Sequence, residues 1–278
     1  MEIATGRKML IPTGIQTLLR DLIHERTGIY FEPDRFDVLI EKIEPLAEER
    51  QCYSLLDYYY LLKYEENGVE DWTRVMDALS VQETYLWREM AQINVLTDII
   101  VPEWFKNTST PLQIWSAACA TGEEAYTILI ALHEAGWGGY PIEIRGSDGS
   151  PSALEKCRTA RYREKAFRCF PSALKLKYFT ASGNEWQLRP EYAQRVTVSR
   201  ANLLATGEIS ALARSQVIFC RNVFIYFSPH AIRQTVAAFA SRMPRGGHLF
   251  VGASESLLRL TADFELKEKG DTFVYVRI

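Results

Sequence analysis

Around residue 110 the apolar pattern of this chain changes its period, and that change limits the folds open to it. Before it, apolar residues recur at helical spacing. In GIQTLLRDLI the residues Ile15, Leu18, Leu19, Leu22 and Ile23 form one stripe. DRFDVLIEKI repeats the pattern with Phe36, Leu39, Ile40 and Ile43, behind Asp34 as a prospective N-cap. YSLLDYYYLLKY and DWTRVMDALS continue it, and no convincing strand precedes residue 110. From residue 112, short apolar runs alternate with helical segments. LQIWSAA is followed by a helix over about residues 122–135, and IEIRGSD by one from about Ser150. Then come RVTVSRA, SQVIFCRN, a helix over about residues 229–243, and GHLFVGAS. Strands alternating with helices specify a parallel sheet covered on both faces. The last two strands differ. FELKE and TFVYVRI are separated only by Lys269, Gly270 and Asp271, a link suited to an antiparallel hairpin and too short for a crossover.

The expected fold class is therefore α/β: a doubly wound, mostly parallel sheet with an antiparallel C-terminal hairpin, preceded by a small all-helical domain. The helical domain is placed at residues 1–90 and the sheet domain at residues 91–278. Between Tyr162 and Val196 the alternation breaks. There KYFTASGNEWQLRP reads as two short strands around Ser182, Gly183 and Asn184, a small antiparallel subdomain at about residues 176–200.

Charge and cysteine usage exclude several function classes. A net charge of −3 gives no nucleic-acid or membrane signal. No apolar run approaches the ~20 residues of a membrane span, and MEIATGRKML lacks the apolar core of a secretory signal. Cys52, Cys119, Cys157, Cys169 and Cys220 are scattered without a C-x-x-C pair. That argues against a metal site and a disulfide framework, and fits reduced thiols in a cytoplasm. His24, His133, His230 and His248 sit in helix or strand patterns, so no His–Asp or Cys–His constellation emerges.

Four segments carry chemistry. WSAACATGEE joins the first strand to a helix, where a dinucleotide would call for G-x-G-x-x-G. Here there is one glycine, Gly122, followed by Glu123 and Glu124. Either Thr121 caps the helix and the glutamates answer its dipole, for ~0.3–1 kcal/mol each, or one carboxylate pairs with a cationic ligand group such as an α-ammonium. Asp148 ends the second strand, about 25 residues on, where an acid commonly takes both ribose hydroxyls. The alternative is an N-cap for the helix near Ser150. In CRNVFIYF, Asn222 can present an amide to a ligand, and Tyr226 an aromatic face to a sulfonium. Both aromatics of IYF also suit ordinary packing. In VQETYLWRE, Arg88 can clamp a carboxylate, with Thr84 and Gln82 as hydrogen-bonding partners, unless the segment is a solvated surface.

Together these segments resemble the chemotaxis receptor methyltransferase family, CheR. QETYLWR is similar to the family's NETxFFR, WSAACATGEEAYT to WSAxCxTGEEPYS, RNVFIYF to RNVxIYF, and GASESL at 252–257 to GHSESL. ARYREKAFRCFP and NLL at 202–204 also fit, and the likeness runs from about residue 18 to the C-terminus. The resemblance implies a Rossmann-like domain that binds S-adenosylmethionine and yields S-adenosylhomocysteine. It implies methyl transfer to glutamate side chains of a chemoreceptor, forming methyl esters. By motif position, Thr84 and Arg88 approach the cofactor, Arg88 through the methionine carboxylate, with Gln82 where the family usually has Asn. Glu123 meets the ammonium and Asp148 the ribose. Ala117, Asn202, Leu203, Arg221 and Asn222 complete the cofactor site, and Tyr226 stands near the transferred methyl. Arg88 and Tyr226 are the candidate catalytic residues, and no metal is expected.

The implied partner is the cytoplasmic helices of a chemoreceptor-like protein, with no nucleic acid, no membrane insertion and a monomeric enzyme. Family members carry a basic second helix, whereas here it bears Glu41, Glu44, Glu48 and Glu49 against Lys42 and Arg50. Such a face repels a glutamate-rich helix. A basic cluster lies elsewhere, at Arg158, Arg161, Arg163, Lys165, Arg168, Lys175 and Lys177. It is either a solvated face or the seat of an acidic partner helix. The short turn of TASGNEWQLRP lacks the insertion with which some family members grip a receptor's terminal pentapeptide, so no such tether is expected. Two readings stay open beside this one: a different protein acceptor, and a cofactor-binding regulatory module without turnover.

Overall fold

The computed structural model describes residues 11, 14–64 and 68–278, which fall into two units divided between Ser80 and Val81. The MEIATGRKML segment lies outside the described residues. In the first unit, α1 (Ile15–Thr27), α2 (Phe36–Glu49), α3 (Leu55–Tyr64) and α4 (Gly68–Leu79) enclose one apolar core. Leu19, Ile23, Leu39, Ile43, Leu55 and Tyr58 are fully buried in it. Leu18 departs from the expected stripe and is exposed, because it sits about 100° round the helix from Leu19. Asp34 is not an N-cap. It lies in a one-turn 3-10 segment, Pro33–Arg35, and α2 starts at Phe36 without a side-chain cap.

Lys42 of α2 and Arg50, the residue that caps its C-terminus, both turn into their own unit. Arg50 grips the buried Asp71 with two parallel bonds, Nε to Oδ1 at 2.8 Å and Nη2 to Oδ2 at 2.5 Å. Lys42 Nζ donates to the Ala78 carbonyl at 2.8 Å. Asp37, Glu41, Glu48 and Glu49 remain exposed, Glu49 paired with Arg74. The outward face of α2 is therefore acidic.

The second unit opens with α5 (Met90–Val95) and α6 (Val101–Asn107). A seven-stranded sheet follows, built from β1 (Leu112–Ala117), β2 (Ile142–Asp148), β6 (Val196–Arg200), β7 (Val217–Cys220), β8 (His248–Val251), β9 (Phe264–Lys269) and β10 (Thr272–Arg277). Its order is β6-β2-β1-β7-β8-β10-β9, parallel from β6 to β8 and antiparallel at the C-terminal hairpin. The expected fold class is what the structure shows. Alternate residues feed two cores. Ile114, Val217, Phe219 and Phe250 face one side with α7 (Glu123–Glu134), while Trp115, Ile218, Leu249 and Val251 face the other. Burial on both faces is why these strands read as mostly apolar runs.

The inserted subdomain has three strands, not two. β4 (Phe179–Ser182) and β5 (Glu185–Leu188) form the expected hairpin, and β3 (Arg161–Tyr162) pairs with β5 through Arg161–Gln187 and Tyr162–Trp186. Two residues are too few to show a period-2 pattern. Around it lie α8 (Pro151–Thr159), α9 (Ser172–Tyr178) and α10 (Pro190–Ala193), followed later by α11 (Thr206–Ile209) and α12 (Pro229–Ala240). None of the described helices is long and apolar enough to cross a membrane.

His248 opens β8, and burial pushes its imidazole down to about 4. The folded state thus holds it neutral where the unfolded chain protonates it. The stability this neutral form carries is intact above pH 6.5 and falls away as the pH drops towards 4. His248→Gln is expected to remove ~3 kcal/mol of the acid-side decline, read as a flatter urea midpoint between pH 7 and pH 4.5.

Candidate functional site

The strand order reverses between β1 and β7, so their carboxyl ends leave a crevice where an open parallel sheet binds ligands. The loop after β1 is the floor of that crevice. Ala118 (φ 56°), Ala120 (φ 47°) and Gly122 (φ 94°) all adopt left-handed backbone there. Nearby Trp87 (φ 70°), Glu89 (φ 52°) and Asn222 (φ 60°) do the same, though none is glycine. Strain of ~1–3 kcal/mol per residue gathered in one place is a mark of a functional site.

Asp148 holds this loop. Its Oδ2 accepts from Ala120 N at 2.9 Å and its Oδ1 from Ser150 N at 2.8 Å. Cys119 N adds a bond to the Ser147 carbonyl at 2.8 Å. Neither of the caps weighed as alternative readings, Thr121 or Asp148, forms as a helix cap. Gly122 is the N-cap of α7 with no side-chain bond, and Thr121 Oγ1 instead donates to Glu123 Oε2 at 2.6 Å. α8 is capped by Ser150, whose hydroxyl accepts from Ala153 N, which frees Asp148 from that duty.

Over the loop lies a small cavity of about 50 Å³, with Arg88, Thr84, Ala120, Glu124 and Asn222 among its walls. Arg88 Nη1 donates to the Glu83 carbonyl at 3.3 Å, and its guanidinium lies 5.5 Å from the Tyr85 ring centre. Glu124 accepts from Ser116 Oγ at 2.6 Å and from Arg221 Nε at 2.6 Å. Arg221 is 6 % exposed and its fork is heavily engaged. Beyond Glu124 it donates to the Glu89 and Arg88 carbonyls, both at 3.2 Å, and to Gln92 Oε1 at 3.1 Å. Arg221 therefore fixes the segment that carries Arg88 rather than pointing a free cation at a ligand.

A second brace holds Asn222. Glu255 Oε2 accepts from Asn222 N at 2.9 Å and Gly252 N at 2.6 Å, and its Oε1 accepts from Ile225 N at 3.2 Å. One carboxylate thus ties the loop after β7 to the loop after β8. The Asn222 amide reaches Glu89 Oε1 at 3.4 Å. Cys119 is a thiol on the cavity wall. Hydrogen bonding with Cys157 and burial hold the Cys119 thiol well above its ordinary value, and burial does the same for Cys220. Among the described residues no group of three or more His, Cys, Asp and Glu is placed to hold a metal ion.

A family model described as "CheR methyltransferase, SAM binding domain" matches residues 82–273. The chain belongs to the CheR methyltransferase family. A second model, "CheR methyltransferase, all-alpha domain", matches residues 17–80. Among similar relatives, "Chemotaxis protein methyltransferase 2" of Vibrio cholerae is 31% identical over 252 residues, covering 89% of this chain and 87% of the relative. "Chemotaxis protein methyltransferase 1" of Pseudomonas aeruginosa is 29% identical over 266 residues, covering 93% of this chain and 96% of that one. The CheR chain is accordingly a methyltransferase, and its second unit is a domain that binds S-adenosylmethionine.

Within this CheR domain the residues singled out in the sequence separate into groups. Thr84, Arg88, Arg221 and Asn222 line the cavity together. Asp148, Asn202 and Leu203 meet at the neighbouring carboxyl ends of β2 and β6, where Ala201 N donates to the Asp148 carbonyl and Asn202 Oδ1 accepts from Leu204 N. Glu123 faces elsewhere. It is buried, its carboxyl pushed up by that burial, and it lines an adjoining groove with Gln82, whose amide reaches Ser152 Oγ at 3.3 Å. Glu124 is the glutamate of the pair that lines the cavity. Ala117 is buried in the core beneath the loop, and Tyr226 is exposed on a 3-10 turn four residues past Asn222, outside the cavity lining. Sequence reading missed Glu89 and Glu255. Both were within reach, since Glu89 ends the quoted VQETYLWRE and Glu255 sits inside GASESL.

Proposed function

We propose that this enzyme transfers a methyl group to glutamate side chains on the cytoplasmic helices of a chemoreceptor-type protein. The supporting observation is the pairing of opposite charges on one cavity: the Arg88 guanidinium and the Glu124 carboxylate stand over a loop that lacks the glycines of a phosphate site. That pair is complementary to the carboxylate and ammonium of the cofactor's methionine end, Arg88 taking the first and Glu124 the second. Asp148, with Asn202 beside it, faces the ribose, and Leu203 supplies apolar surface for the base. Glu123 and Gln82 support the loop from the adjoining groove. Tyr226 lies on the path by which the acceptor enters.

S-adenosylmethionine, when bound, supplies a methyl on a sulfonium, a good leaving group. The acceptor carboxylate is ionised at pH 7 and needs no general base. The protein's contribution is to hold the acceptor oxygen in line with the methyl at ~3–3.5 Å and to exclude water. Arg88 and Glu124 would hold the cofactor's methionine end, and transfer to the acceptor carboxylate would neutralise the charges on both reactants. The enzyme then works as a cytoplasmic monomer without a pentapeptide tether.

Two measurements test this. Calorimetry should show S-adenosylhomocysteine binding at micromolar concentration, and silence there would sink the proposal. Tritiated methyl transferred to a receptor cytoplasmic fragment should be released by alkali as methanol. Base-stable label would favour another protein acceptor, a reading that the acidic face of α2 supports. Asp148→Ala is expected to weaken S-adenosylhomocysteine binding by ~1–3 kcal/mol, because it removes the ribose acceptor and frees Ala120 N. Unchanged affinity would leave Asp148 a loop brace only.

A further inference from the structure

The cavity does not end at Thr84. Glu83 and Thr84 also line a groove of about 560 Å³ that runs to Glu185 on the three-stranded sheet. Four exposed cations stand along it, Lys156, Arg161, Arg163 and Lys165, and a fifth, Arg168, is bound to Glu83. Three carboxylates stand against these five cations: Glu83 and Glu185 on the surface, and the buried Glu123, which feels the charge of Lys156. Glu83 takes Arg168 at 3.2 Å and Lys165 at 3.5 Å, and Glu185 takes Arg163 at 3.4 Å. Lys156 and Arg161 bond to neutral amides instead, Gln82 Oε1 at 2.9 Å and Gln187 Oε1 at 2.6 Å. The rest of the basic cluster is matched one to one: Arg158 with Glu155, Lys175 with Glu164, Lys177 with Glu134. The uncompensated positive charge of this cluster is therefore concentrated in the groove that opens onto the cofactor cavity.

We propose that this groove seats an acidic segment of the methyl-accepting protein, beside the glutamate being modified; the inference rests on the carboxyl-methyltransferase reading above. Exposed pairs such as Arg163–Glu185 are weak in water, so a substrate carboxylate displaces them at little cost. Arg161 and Arg163 offer planar forks that suit carboxylates. An acidic stretch laid here brings its neighbouring side chains to Thr84 and the cavity mouth. The acidic outer face of α2 offers no comparable attraction for such a stretch.

The test uses the full chain and a double charge reversal, Arg161→Glu with Arg163→Glu. KM for a receptor cytoplasmic fragment is expected to rise at least tenfold and to lose most of its salt dependence. The turnover number and S-adenosylhomocysteine affinity should stay within twofold. Arg161→Gln with Arg163→Gln should shift KM the same way by a smaller factor, which guards against misfolding of the reversed form. Anisotropy with a labelled glutamate-rich peptide reads the groove without turnover. Peptide binding that depends on Arg161 and Arg163, in an enzyme that makes no ester, sinks the carboxyl-methyltransferase reading and leaves the groove standing. Turnover with an unmoved KM overturns the groove. So does equal displacement of the peptide by an oligonucleotide of the same charge.

Discussion

Arg221→Ala is expected to lower the unfolding free energy of the second unit by ~3–5 kcal/mol and to weaken S-adenosylhomocysteine binding more than tenfold. The stability loss follows from what the guanidinium leaves behind. Glu124 loses its 2.6 Å partner while its side chain stays mostly buried, and the carbonyls of Arg88 and Glu89 and the amide of Gln92 lose their donors. An uncompensated buried carboxylate is the costly element. The binding loss follows from geometry. Arg221 holds both the carboxylate and the Arg88 backbone, so the two charges facing the cavity move apart when it goes. Arg221→Lys should recover little of either, because one ammonium cannot reproduce the fork across four acceptors. Urea unfolding and calorimetry on both variants decide it. A destabilised Arg221→Ala that binds with wild-type affinity would confine Arg221 to a structural part.

The architecture was legible because burial imposed its own period. β1, β7 and β8 are covered on both faces and read as mostly apolar runs, unbroken in β7, and the C-terminal hairpin declared itself through the Gly270–Asp271 turn. β3 was not legible, since two residues carry no pattern and its pairing partner lies 25 or so positions on. The site was legible as a set of motifs and less so as a set of orientations. Glu123 and Glu124 are neighbours in sequence, yet adjacent helical residues point about 100° apart, so only one meets the cavity. The side chain that selects Glu124 is Arg221, 97 residues away. Nothing local encodes that choice. The same holds for Lys42 and Arg50, whose partners the sequence did not reveal. Arg50 is drawn inward by Asp71, 21 residues distant, and Lys42 by a carbonyl 36 residues away.

Gly122→Ala is expected to lower stability by ~2–5 kcal/mol and to abolish measurable cofactor binding, although it adds a single methyl. Two separate penalties meet at this position. Gly122 has φ 94°, left-handed backbone that an L side chain adopts only under strain. A Cβ built there runs into Cys157 Sγ on α8 and lies 3.1 Å from the Tyr126 ring. Neither neighbour has room to withdraw, since Cys157 and Tyr126 are both buried. The chain must then unwind the Gly122 turn, and with it move Ala120, whose amide meets Asp148. Cys157→Ala separates the two penalties. In the double variant the steric part should largely vanish, giving a favourable coupling of ~1–2 kcal/mol, while the backbone part remains. Additive effects would place the whole cost in the backbone, and full recovery would place it in the collision. Cofactor binding reads which of these moves the loop: recovery with Cys157→Ala means that close packing against α8, more than the left-handed turn itself, sets the floor on which Glu124 and Ala120 stand.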